Sequence, residues 1–144
     1  MSSLPDQVQK RLADEFKLAA SMVAKSSDIS EKNYYFSVFF GETGRQLNMH
    51  WDADLSLLHL VVQAACQQIG GRAQLTSGAS FPLGGFPDGF LPAIDEVSNE
   101  LATAFEGKEV DVPRLYAAIS RIAELTYLIS GNGVYLYQKG MIGI

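Results

Sequence analysis

The sequence predicts an α+β fold, on three observations. An aromatic, β-branched run is followed by a stretch of strict alternation, which together read as a β-hairpin. A second segment lacks charge for fifteen residues and reads as a buried helix. Further helical periodicities flank both. The expected architecture is an antiparallel, hairpin-based sheet over about residues 33–52 plus 134–138, packed with about four helices around a central buried helix, 54–69.

The first element is a helix over about residues 4–25, because Leu4, Val8, Leu12, Phe16, Ala20 and Val23 recur at helical spacing. Ser26-Ser27-Asp28 closes it. Tyr34-Tyr35-Phe36-Ser37-Val38-Phe39-Phe40 then suits a strand, and Gly41-Glu42-Thr43-Gly44 a turn. Leu47, Met49 and Trp51 alternate with Gln46, Asn48, His50 and Asp52, the pattern of a half-buried strand.

Asp52 or Asp54 caps the central helix, which Gly70-Gly71 ends. Its polar residues Ser56, His59, Gln63 and Gln67 lie along one narrow stripe. Residues 70–92 hold six glycines, three prolines and several aromatics, including Phe86, and read as a long packed loop, with Ala73–Thr76 as a possible short strand within it. Pro92 opens a further helix carrying Ile94, Val97, Leu101 and Phe105, closed by Gly107. Asp111 caps the last helix, which runs on through Thr126–Ile129 or else yields there to a second hairpin with strand Val134–Tyr137.

Length and composition bound the rest. At 144 residues the chain is expected to be a single domain, 1–144. Charged residues are only 19%, few enough that covering the surface of a monomer is difficult, so a homo-oligomer, a dimer above all, is expected. Between Asp88 and Asp111 there are seven acids against one base, Lys108, which outweighs the entire net charge of −5. Basic residues never cluster beyond Lys10-Arg11, so no nucleic-acid partner is expected. No window approaches the ~20 apolar residues a membrane span needs, and no signal peptide is legible at the N-terminus. A cytoplasmic protein is the expectation, and the lone Cys66 excludes an internal disulfide.

No motif carries a recognisable chemistry. His50, Asp52 and Asp54 lack diagnostic metal spacing, and neither a metal nor a cofactor is expected. Cys66 and His59 are seven residues apart on one helix, about 10 Å, too far for a nucleophile pair. Gly84–Phe90 lacks the Lys-Ser/Thr of a phosphate loop. Two functions follow. The first is a non-enzymatic, self-associating interaction or adaptor protein, with a further protein partner possible. The alternative is a small-molecule-binding protein or small enzyme, with His50, Asp52, His59, Gln63 and Phe86 as ligand contacts under a lid formed by loop 70–92.

Overall fold

The computed structural model describes residues 4–76 and 86–130. Six helices account for its regular structure: α1 (Asp6–Lys25), α2 (Ile29–Phe40), α3 (Glu42–Leu47), α4 (Ala53–Thr76), α5 (Phe90–Phe105) and α6 (Val112–Ile129). Among the described residues there is no strand, so the expected α+β fold gives way to an all-helical one.

The predicted hairpin 33–52 is helical from end to end of its first half. Asp28 caps α2, its carboxylate accepting the backbone N–H of Ser30 at 2.8 Å and of Glu31 at 3.4 Å. Once that cap is set, Ile29, Lys32, Phe36 and Phe40 fall on one helical face and turn inward, and this burial overrides the β-propensity of the aromatic run. The second half fails as a strand for a different reason. Glu42–Leu47 form α3, and Met49 and Trp51, assigned to a buried sheet face, are 77% and 74% exposed.

The Gly-rich loop 70–92 also shrinks. Gly70 and Gly71 lie inside α4, which continues through Ala73–Thr76 because Ile69 and Arg72 are buried on either side of the pair. Gly89, at φ 84°, makes the left-handed turn into α5, which begins at Phe90 rather than Pro92. Residues 77–85 of that loop and the expected strand 134–138 lie outside the described residues. Thr126–Ile129 remain in α6, capped at its start by Asp111, whose carboxylate accepts the Arg114 N–H at 3.2 Å.

Five helices close a ring, in the order α1, α2, α4, α6, α5 and back to α1, with α3 laid across the α4 end. Phe16, Phe36, Phe40, Phe90 and Phe105 fill the centre, each at most 1% exposed. Phe16 lies 4.7 Å from Phe40 and 4.8 Å from Phe105, ring centre to ring centre, in the tilted and edge-on arrangements aromatic pairs favour. Neighbours around the ring run antiparallel except α4 and α6. Tyr116, near the start of α6, bonds Asp54 at the start of α4, and Ile122 and Leu125 meet Ala65 and Ile69 further on.

Two ionic contacts, each with one buried partner, tie the helices together. Lys32 Nζ donates to the Val23 carbonyl at 2.9 Å and to Asp95 Oδ1 at 2.7 Å, joining the ends of α1, α2 and α5. Glu42 receives Arg11 at 3.2 Å and Arg45 at 3.0 Å, fixing α3 to α1.

Candidate functional site

The five residues expected to bind a ligand do not converge. Asp52 is buried and engaged in capping α4, its carboxylate accepting the Leu55 N–H at 3.0 Å. His50 sits in the turn after α3, its N–H donated to the Gln46 carbonyl at 2.7 Å. His59 rests against α3, with Nδ1 3.4 Å from Thr43 Oγ1 and the ring close enough to Gly44 that a Cβ there would lie 2.6 Å from Cε1. Gln63 is one turn further along, beside Gly41. Phe86 packs 5.1 Å from Phe90, with the Arg72 guanidinium 6.0 Å from its ring centre. Arg72 is thirteen residues beyond His59 on α4, about 20 Å away.

His59 and Gln63 continue a row of polar contacts that α4 makes with α2 and α3. Asn33 donates Nδ2 to the Cys66 carbonyl at 3.2 Å, and Ser37 bonds the Cys66 side chain. Burial pushes the Cys66 thiol up to about 11, against the smaller opposing effect of Ser37, so the thiolate is scarce at neutral pH and the sulfur behaves as a core atom. Among the described residues no three potential ligands group to hold a metal ion. The row positions helices and carries no nucleophile–base pair.

The opposite side of α4 is different. Leu55, Leu58, Val62, Ala65 and Ile69 form the buried stripe, spaced three and four residues apart. A second stripe at the same spacing, Ala53, Leu57, Leu60, Ala64, Gln67 and Gly71, points outward and is exposed throughout. Leu60 is 63% exposed and Leu57 36%. No charged residue interrupts α4 between Asp54 and Arg72. Met49 and Trp51 stand exposed just before its first turn. On the flank toward α6, the Tyr116 hydroxyl donates to Asp54 Oδ1 at 2.6 Å, which raises the pKa of the phenol.

Comparison with protein-family models, curated proteins and solved structures finds no match.

A helix polar along only one narrow stripe is expected to be enclosed on its other sides, but 57, 60 and 64 face solvent. The signal of two surfaces was present in the spacing: apolar or small residues at 53, 57, 60 and 64 keep a heptad register of their own beside the core register of 55, 58, 62, 65 and 69. A hollow of about 970 Å³ also lies on the far side of the ring, between α1 and α5. Small residues such as Ala13, Ala20 and Ala102 line it, with Lys17, Asp95 and Glu106 at its rim, and none of the five expected contacts borders it. Among the described residues no helix is long and apolar enough to cross a membrane.

Proposed function

We propose that this protein is a non-catalytic, self-associating interaction module of the cytoplasm, presenting an apolar helical surface to protein partners. The observation that carries the reading is the outward stripe of α4, where leucines face solvent on a helix with no charge over its central four turns. Isolated exposed leucines are ordinary on protein surfaces. A continuous, uncharged row flanked by exposed Trp51 and Tyr116 is the composition of a contact surface, aromatic-rich and depleted of charge. Of the polar groups expected to hold a ligand, Asp52 caps α4 and His59 packs against α3, which supports interaction over catalysis. A single buried thiol suits a reducing compartment.

Size-exclusion chromatography with light scattering tests the reading directly. The expected mass at micromolar concentration is twice the 15.7 kDa of one chain, falling on dilution. A mass of one chain at every concentration would remove the proposal.

A further inference from the structure

Self-association leaves open which surface meets which, and the outward stripe of α4 answers with its own symmetry. Read along the helix, its first four members are Ala53, Leu57, Leu60 and Ala64. The order small–large–large–small is the same in either direction. A helix pair related by a two-fold axis must be antiparallel or parallel, and in each the surface packs on itself.

We propose that two copies pair through α4 in antiparallel fashion about a two-fold axis between Leu57 and Leu60, a step that rests on the self-association reading above. In this register Ala53 faces Ala64 of the second copy, and Leu57 faces its Leu60. The alanines let the backbones approach at the ends of the contact, and the four leucines fill its middle. The free ends also match. Beyond Ala64 the stripe continues to Gln67 and Gly71, and a Cβ built on Gly71 would meet nothing within 4 Å. In the same register the second copy's Met49 and Trp51, immediately before its Ala53, fall opposite the turn after Ala64.

Charge chooses between the two directions. Parallel pairing would oppose like helix dipoles and bring the two acidic first turns to the same end, whereas the antiparallel arrangement separates those turns and aligns the dipoles favourably. The acids of Asp88–Asp111 belong to α5 and its flanks, which are not neighbours of α4 in the ring. A chain of net charge −5 thus approaches its copy by the side that carries least of that charge. In this register α4 meets its copy over Ala53–Ala64, about 17 Å, and exposed Met49 and Trp51 extend the contact at either end.

The test is a charge substitution combined with a crosslink. L57D/L60D introduces two carboxylates on exposed positions, so helicity and melting should be retained while the dimer dissociation constant rises about a hundredfold or more. L18D, at a 50% exposed site on α1, serves as the control and should leave the dimer intact. For geometry, A53C and A64C are prepared separately, mixed, and treated with a short bismaleimide. The mixture should yield a covalent dimer, whereas A64C alone should not, because two copies of position 64 are eleven residues apart along the pair, about 16 Å. Native Cys66 is buried and contributes no background. A wild-type dimer that survives L57D/L60D overturns the α4 contact and spares self-association. Self-crosslinking of A64C overturns the antiparallel register. A monomeric wild type overturns both the register and the reading beneath it.

Discussion

Lys32 shows how much one side chain can hold together. The residue is 4% exposed, and its ammonium is shared between the Val23 carbonyl near the end of α1 and the carboxylate of Asp95 on α5. K32M leaves the Val23 carbonyl and Asp95 without that donor, and a hydrogen bond to a charged group contributes about 1.5–3 kcal/mol. Asp95 remains partly exposed and can recover water, so a loss of about 2 kcal/mol is expected, read as a lower urea midpoint at unchanged slope. D95N should cost at least as much, since it leaves the buried Lys32 ammonium without a countercharge. Cys66 offers a pH-dependent counterpart. Its pKa is raised from 9.0 to about 11, so the folded state holds the thiol proton more tightly than the unfolded chain does. The resulting stabilisation is complete below pH 9 and is lost as the pH climbs from 9 to about 11, an amount on the order of 2–3 kcal/mol. Unfolding free energy should therefore fall more steeply over that window for the wild type than for C66A. Parallel curves for the two proteins would show that Cys66 titrates alike folded and unfolded.

The helices differ in what their glycines tolerate. Gly71 lies on the outer side of α4 with open space beside it, so G71A should stabilise by up to about 1 kcal/mol through helix propensity alone. Gly44, on α3, has the His59 ring pressed against it, and G44A should destabilise by about 1–2 kcal/mol as the imidazole is displaced. Adding H59A to G44A should recover much of that loss, and thermal melts of the four proteins would measure the coupling. These sites also explain what could be read in advance. The span of α1, the cap at Asp111 and the course of α6 through Ile129 follow from local periodicity and capping, which act over a few residues. Over 34–52 aromatic content and short-range alternation imitate strands, whereas the real determinant is the Asp28 cap with Phe36 and Phe40 one turn apart. Gly70 and Gly71 look like a stop because their cost is local, whereas the burial of Ile69 and Arg72 that outweighs it is tertiary. For the candidate site, the absence of charge was legible in the sequence, but which face would remain uncovered depends on α2 and α6 flanking α4, a fact of assembly.

At the scale of the whole molecule, the ring sorts its surfaces. Acids gather on and around α5, while α4 presents leucine and alanine on another side. This separation makes an expectation about salt. If association ran through ion pairs, added NaCl would screen them and weaken the dimer. An uncharged contact between two chains of net charge −5 should respond in the opposite sense, because the only long-range electrostatic term left is mutual repulsion. Raising NaCl from about 0.05 M to about 0.5 M shortens the screening length from roughly 14 Å to roughly 4 Å. Repulsion between the acidic sides then fades, and burial of the leucines is unaffected or slightly favoured. Sedimentation equilibrium across that range should show a dissociation constant that holds steady or tightens by a few fold. A tenfold weakening would place charged residues in the contact and remove the outer face of α4 as its centre.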